Sequence, residues 1–162
     1  MDLYLIRHAD AKPLGEDGIQ DDADRPLTVK GEAQSKALAK ALQKHGVQLG
    51  VVVSSQLLRA KQTADKLVDH WTGPAPTLSI CEEVAPGGKR RKLSKFLREQ
   101  SADAIAVVGH MPGIAAYAAW LIGDNKAELE LEKAGVAHIA FDEGPRKGEG
   151  KLTWLVTPEW FE

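Results

Sequence analysis

The sequence predicts a three-layer α/β sandwich in which a mainly parallel sheet lies between helices. Short apolar runs of strand length alternate along the chain with segments whose apolar residues repeat at helical spacing. The last two predicted strands are joined by a loop too short for a crossover helix, so we expect an antiparallel hairpin at one side of the sheet. No linker or internal repeat interrupts this pattern. We therefore expect one domain over residues 1–162, without a helical cap subdomain.

The first strand, at residues 2–7, leads into a polar loop rich in Gly, Asp and Pro. Thr28 can cap a helix that runs to His45, where Gly46 stops it. The remaining elements are, in order, strand 50–53, helix 56–71, strand 77–81, helix 89–100, strand 104–109, helix 113–123 and strands 136–141 and 152–156. Apolar residues at core spacing support each helix, and in the last one they are Ile114, Tyr117, Ala118, Leu121 and Ile122.

Composition argues against several classes of partner. The net charge of −2 and the pI of about 6.2 lack the basic footprint of a protein that binds nucleic acid or an anionic membrane. No apolar stretch approaches the length of a membrane span. Met1 and Asp2 lead directly into the first strand without the features of a signal peptide, and Cys81 is the only cysteine. We expect a cytoplasmic monomer without disulfides.

Four cationic or titratable side chains follow the predicted strands. Arg7 and His8 end the first apolar run, and His110 ends the run at residues 105–109. Arg59 falls in the first turn of the helix that follows strand 50–53. Ligands of parallel sheets bind outside the carboxyl ends of the strands, and helix N-termini favour anions. Together these four residues predict a phosphate site.

The motifs around these residues resemble the histidine phosphatase superfamily, also called the phosphoglycerate mutase-like group. They are Arg7-His8-Ala9, the segment 54–63 (SSQLLRAKQT) and Gly109-His110. Within the superfamily the chain is similar to the small SixA-type phosphohistidine phosphatases. Residues 24–31 (DRPLTVKG) match their Arg-Pro-Leu-Thr element, and residues 83–86 (EVAP) resemble their Glu-Leu-Thr-Pro turn. The resemblance extends from Met1 to about Trp154.

One position departs from the family pattern. The commonest triplet of the superfamily is Arg-His-Gly, whereas this chain has Ala9 in place of the glycine. Glycine is required where φ is positive or where another group approaches very closely. We expect activity to survive if φ at Ala9 is negative.

The resemblance implies that His8 attacks phosphorus and forms a phosphohistidine intermediate, which water then hydrolyses. Arg7, Arg59 and His110 would hold the phosphoryl oxygens and stabilise the charge of the transition state. A histidine nucleophile must be neutral at one ring nitrogen, and the nearby arginines disfavour a second positive charge. We expect a backbone carbonyl to anchor the other nitrogen of His8. Neither a metal nor another cofactor is expected.

Glu83 is the candidate general acid, because it matches the turn that supplies an acid in larger relatives, although Glu82 is close enough to confuse the register. An imidazole leaving group can be protonated on its other nitrogen and needs less help. Without insertions around the site, the pocket should be shallow and open. Such a pocket favours a phosphohistidine-bearing protein as substrate, with inorganic phosphate as product. The basic run 89–92 is a solvated face that could also meet an acidic partner protein.

Four alternatives remain open. His8 and His110 could bind zinc with Asp10 or Asp24, although a structural zinc needs four ligands and no short-spaced Cys/His pairs are present. A nucleotide-binding module is disfavoured, because no Gly-x-Gly-x-x-Gly or Gly-Lys-Ser/Thr loop follows a strand. A phosphoprotein-binding module without turnover is the non-enzymatic alternative. Among enzymes, the alternative is a general phosphomonoesterase.

Overall fold

The computed structural model describes residues 1–161 of the chain. Its strands are β1 (Asp2–Arg7), β2 (Val51–Ser54), β3 (Thr77–Ile80), β4 (Ala104–Gly109), β5 (Val136–Ala140) and β6 (Lys151–Val156). Its helices are α1 (Val29–Lys44), α2 (Leu58–Asp69), α3 (Arg90–Arg98) and α4 (Gly113–Leu121). Short 3-10 turns lie at Glu16–Gly18, Asp22–Asp24, Glu82–Val84 and Pro158–Trp160. Within residues 1–161, no helix has both the length and the apolar character needed to cross a membrane.

All six strands form one sheet in the order β3-β2-β4-β1-β5-β6. The four strands β1 to β4 are parallel to one another, whereas β5 runs antiparallel to both β1 and β6. This confirms the predicted mainly parallel sheet with a C-terminal antiparallel hairpin. Because β1 and β4 are adjacent and Arg7 lies opposite Gly109, His8 and His110 leave the sheet side by side.

Each face of the sheet is covered by two helices, as predicted for a three-layer sandwich. Successive residues of a strand point to opposite faces. In β1, Leu3 and Leu5 therefore enter the core beneath α3 and α4, and Tyr4 and Ile6 enter the core beneath α1 and α2. Leu3, Leu5 and Ile6 are completely buried. Packing on both faces holds β1 rigidly, and with it the segment that carries His8.

Helices α2, α3 and α4 are shorter than predicted, whereas the strand boundaries differ from the predicted ones by one residue at most. Helix α2 begins at Leu58 rather than at residue 56, because Leu57 has an extended backbone with φ −68° and ψ 138°. Thr28 caps α1, since its side chain accepts a hydrogen bond from the Gly31 amide. Strand β3 forms one edge of the sheet and is largely exposed. Trp160, in the 3-10 turn Pro158–Trp160 beyond the sheet, is 80% exposed.

Candidate active site

The C-terminal edge of β1 and β4 brings two histidines together. The amide of His8 donates to the carbonyl of Gly109 over 2.9 Å, which extends the strand pairing by one residue. The ring centroids of His8 and His110 are 5.2 Å apart. Only 7% of His8 and 4% of His110 is exposed. The sheet therefore presents two adjacent and buried imidazoles at the edge where ligands of parallel sheets bind.

The hydrogen bonds of His8 define its tautomer. Its Nδ1 lies 2.8 Å from the carbonyl oxygen of Ala9, and the Nε of Arg59 donates to its Nε2 over 3.2 Å. A carbonyl oxygen can only accept and a guanidinium can only donate. The ring proton is therefore on Nδ1, and Nε2 carries the lone pair. The backbone carbonyl expected to anchor His8 is that of Ala9.

The backbone at Ala9 does not require glycine. Among residues 1–161, the non-glycine residues with positive φ are Asp17 and Ala134. The φ of Ala9 is therefore not positive, which was the condition for activity to survive without glycine. Ala9 is completely buried, and its amide donates to the hydroxyl of Thr63 over 3.0 Å. Thr63 in turn donates to the carbonyl of Arg59 over 2.7 Å. This hydroxyl ties the segment after β1 to the helix that supplies Arg59.

Burial and neighbouring charges keep both imidazoles neutral near pH 7. The pKa of His8 is lowered to about 4, mainly by burial and further by Arg59 and Arg7, while its hydrogen bond to Ala9 acts in the opposite direction. The pKa of His110 is lowered to about 3 by burial, His8 and Arg59. Neutral His8 with its lone pair on Nε2 has the form that a nucleophilic histidine requires.

Two of the predicted residues have buried polar atoms without partners. Arg7 donates from Nη1 to the carbonyl of Leu131 over 2.9 Å. In the described part of the chain, neither the Nε of Arg7 nor either ring nitrogen of His110 has a hydrogen-bond partner. Leaving a buried polar group unpaired costs about 1–3 kcal/mol. Such atoms at the edge of a sheet are well suited to bind an oxyanion.

Arg59 is 5% exposed and makes contacts that the sequence did not predict. Its Nη1 donates to the carbonyl of Asp22 over 2.7 Å, and its Nη2 lies 3.0 Å from the Asp22 carboxylate. Arg25 also contacts this carboxylate at 3.0 Å, and the two arginines lower the pKa of Asp22. The acidic run at residues 21–24 beside Arg25 was the available signal, but nothing in it specified Arg59 as a partner.

The expectation of a shallow, open pocket needs correction. Both imidazoles are more than nine-tenths buried, and the turn Asp22–Asp24 bonds to the guanidinium of Arg59. The loop between β1 and α1 produces this cover. Arg59 of α2 holds Asp22 of this loop at the sheet edge, and Arg25 contacts the same carboxylate from within the loop.

The partners of Glu83 are not among the four predicted phosphate-site residues. Its Oε2 accepts from the Lys89 amide over 2.6 Å, and its Oε1 lies 3.5 Å from the Nζ of Lys92. The hydrogen bond from Lys89 and the charge of Lys92 lower the pKa of Glu83. The turn Glu82–Val84 does lie beside β4, since a Cβ on Gly109 would be 3.1 Å from a methyl of Val84. The carboxylate itself, however, holds the start of α3.

Asp10, one of the residues considered for zinc, has other partners. Asp10 accepts hydrogen bonds from Lys133 and Thr28, each over 2.6 Å. Within residues 1–161, no group of three or more His, Cys, Asp or Glu side chains is arranged to hold a metal ion.

Comparison with known proteins places this chain in a family. A model of the histidine phosphatase superfamily (branch 1) matches residues 3–88. An uncharacterized protein of a Picosynechococcus species is 35% identical over 99% of this chain and 98% of its own length. The chain belongs to the histidine phosphatase superfamily.

Two further relatives are similar over almost the whole chain. The phosphohistidine phosphatase SixA of Escherichia coli K12 is 27% identical over 98% of this chain and 94% of its own. The solved structure of the protein histidine phosphatase SixA complexed with tungstate superimposes with a TM-score of 0.85. It covers 100% of both chains at 25% identity. The fold of this member of the superfamily is therefore that of SixA.

Proposed function

We propose that this protein removes the phosphoryl group from phosphohistidine on a protein substrate, through a covalent phosphohistidine intermediate at Nε2 of His8. One observation carries the proposal: His8 is buried, neutral and fixed in the tautomer whose Nε2 lone pair points into a group of cationic and unpaired donors. Membership of the superfamily and similarity to the SixA phosphohistidine phosphatase support it. Such an enzyme would act in the cytoplasm, in signalling through protein histidine phosphorylation.

In the first step, Nε2 of His8 attacks phosphorus as the bond from phosphorus to the substrate nitrogen breaks. The bonding electrons leave with the substrate imidazole, which is protonated by solvent. Arg59 now occupies the Nε2 lone pair over 3.2 Å, so its Nε must move to a phosphoryl oxygen when substrate binds. The Nε of Arg7 and the single ring N–H of neutral His110 supply further donors. Donors already placed at the developing charge are a large source of catalysis.

In the second step, water attacks the phosphorus of the intermediate and gives up its proton to solvent, and the electrons of the N–P bond return to Nε2. The products are inorganic phosphate and neutral His8. Throughout, the proton on Nδ1 remains with His8, bonded to the carbonyl of Ala9. That carbonyl stabilises the positive charge that the ring carries while phosphorus is attached. These residues complete the cycle with no metal and no other cofactor.

The surroundings of Glu83 favour phosphohistidine over phosphate esters. A carboxylate with a lowered pKa that accepts the Lys89 amide is a weak proton donor. An alkoxide leaving group needs such a donor more than an imidazole does. The exposed residues 89–92 provide a basic surface that could contact an acidic protein carrying the phosphohistidine.

The test compares kcat/KM for a histidine-phosphorylated protein, free phosphohistidine and an aryl phosphate under identical conditions. We expect a strong preference for the phosphorylated protein and less than about a tenfold loss for Glu83→Gln, since a well-placed general acid contributes about 100-fold or more. Equal efficiency toward the aryl phosphate would instead indicate a general phosphomonoesterase. Release of phosphate that stops at one equivalent per enzyme would indicate a binding module without turnover.

A further inference from the structure

A single peptide group lies between the ring of His8 and helix α1. Its carbonyl, from Ala9, is 2.8 Å from Nδ1 of His8. Its amide, from Asp10, donates to Oε1 of Gln34 over 2.9 Å. Gln34 is 6% exposed and was not among the residues that the sequence placed in the site. The two hydrogen bonds connect Gln34 to the predicted nucleophile through one planar unit.

Helix α1 fixes the position of Gln34 relative to this peptide. The Thr28 amide donates to the carbonyl of Asp10 over 3.0 Å. A Cβ on Gly31 would lie only 2.0 Å from that same carbonyl oxygen, so the absence of a side chain there allows the backbone to approach. Gly31 and Gln34 are three residues apart and share one face of the helix. The face that contacts Asp10 therefore also delivers the amide of Gln34.

The bond to Gln34 acts on His8 in two ways. An amide N–H that donates a hydrogen bond polarises its own peptide, which makes the carbonyl a stronger acceptor for Nδ1. It also fixes the rotation of the peptide plane, so that the carbonyl oxygen faces the ring. Without this acceptor, the partly buried Asp10 amide would be free to rotate toward another partner and would carry the Ala9 carbonyl with it.

We propose that Gln34 is a positioning residue, which holds the proton of His8 on Nδ1 through the Ala9–Asp10 peptide and so keeps the lone pair on Nε2. The role of that lone pair in attack rests on the proposed function, whereas the tautomer can be observed without any turnover. Two hydrogen bonds form this relay. The Asp10 N–H donates to Oε1 of Gln34, and Nδ1–H of His8 donates to the Ala9 carbonyl. The same relay would support the positive ring of the phosphoenzyme.

The experiment measures the ¹⁵N chemical shifts of the His8 ring in the free protein, because these shifts distinguish the two tautomers. Gln34→Met keeps a similar volume and removes the acceptor, whereas Gln34→Glu keeps an acceptor oxygen. The wild type and Gln34→Glu should show the proton on Nδ1. Gln34→Met should show a detectable population of the Nε2–H tautomer, although Arg59 still opposes a proton on Nε2. The kcat should fall with KM unchanged, by about twofold if the two tautomers become equally populated, because only the Nδ1–H form is competent.

Gln62 provides the matched control. Its Oε1 accepts from the Leu27 amide over 2.7 Å, so Gln62→Met removes the same kind of bond between a glutamine and the same long loop. This variant should lose stability but leave the His8 tautomer unchanged. A general loosening of the loop would instead alter the tautomer in both variants, and that result would overturn the proposal.

Gln34→Glu supplies an independent test if Gln34→Met does not fold. Gln34 lines a polar recess together with Lys30 and Lys133, which can accommodate an ionised carboxylate. The added negative charge should raise the pKa of His8, so that the ring becomes protonated at a higher pH than in the wild type. An unchanged titration, or an unchanged tautomer in folded Gln34→Met, would overturn the proposal. Failure to hydrolyse phosphohistidine would remove the proposed function and leave these ring measurements standing.

Discussion

Two histidines lie beside β1, His8 after its C-terminal end and His138 on β5 opposite Tyr4, and their surroundings differ. Nε2 of His138 is 2.8 Å from the carboxylate of Asp2, and its Nδ1 bonds to the hydroxyl of Thr153. Its ring stacks on Tyr4 with the centroids 4.7 Å apart. At the C-terminal end, His8 is held by a carbonyl and a guanidinium.

The comparison shows that neighbours, rather than residue type, separate a structural imidazole from a reactive one. Both nitrogens of His138 are held by side-chain oxygens, so neither is free to attack phosphorus. His8 has one nitrogen held by the backbone and one by a cation, and a phosphoryl group can attract that cation away. Substitutions at the two positions should therefore have opposite consequences for activity and for stability.

The largest expected effect is that of His8→Ala. It should lower phosphate release by at least about 10⁴-fold, as expected when a nucleophile is removed, and should abolish the acid-labile phosphoenzyme. His138→Ala should retain turnover and lose about 1 kcal/mol of stability for each lost hydrogen bond. Quenched-flow labelling and urea denaturation measure the two effects. Phosphate attached to a residue other than His8 would contradict the mechanism.

His110→Ala should have the next largest effect. The ring N–H of neutral His110 has no partner and is expected to donate to a phosphoryl oxygen, and the loss of one such donor typically costs about 100- to 1,000-fold in rate. Labelled phosphate should still become attached to His8, because the nucleophile is intact in this variant. Quenched-flow labelling at saturating substrate measures the rate at which the phosphoenzyme forms and also shows which residue carries the phosphate. A rate within a few-fold of wild type would limit His110 to a packing role.

The sequence predicted the site residues whose positions depend on strand ends. Arg7, His8 and His110 follow apolar runs that fold into adjacent strands, and Arg59 follows a third. Chain direction and strand order are enough to bring such residues to one edge. The order of elements, the parallel sheet and the final hairpin were predicted for the same reason, because hydrophobic periodicity determines them.

The sequence did not predict the contacts made by the loop between β1 and α1. Asp22 meets Arg59 and the Asp10 amide meets Gln34 only after this long segment has folded back across the sheet edge. Polar loop residues have no periodicity that specifies their partners. The predicted open pocket failed for this reason: counting insertions cannot show where a loop without regular structure lies.

The pH dependence of stability should show that both imidazoles are neutral when buried. Their folded pKa values of about 4 and about 3 lie below the unfolded value near 6.5. The unfolded chain therefore binds protons first as the pH falls, and their contribution to stability is complete above about pH 6.5. Stability should decrease as the pH falls from there toward 4, by about 1.4 kcal/mol per pH unit for each imidazole.

Urea denaturation at pH 7 and pH 5 measures this dependence. His8→Gln and His110→Gln should each reduce the loss between the two pH values, whereas replacement of the exposed His45 by Gln should not. Vanadate should oppose the loss, because an anion beside the imidazoles raises their pKa values. An identical loss in all three variants would assign the acid sensitivity to other groups.

The smallest expected effect concerns the basic surface of α3. Arg59 is buried at the site, whereas the exposed side chains of Arg90 and Arg91 are screened by solvent and salt. The double variant Arg90→Glu/Arg91→Glu should lower kcat/KM for a histidine-phosphorylated protein by about three- to tenfold, mainly through slower association.

Free phosphohistidine is too small to contact this surface and should be hydrolysed at the wild-type rate. The double variant Lys36→Glu/Lys40→Glu, on the exposed side of α1, makes the same change in charge and should leave both substrates unaffected. Added salt should remove the difference between wild type and the α3 variant. If the α1 and α3 variants lose the same activity, net charge alone governs encounter and α3 is not the docking surface.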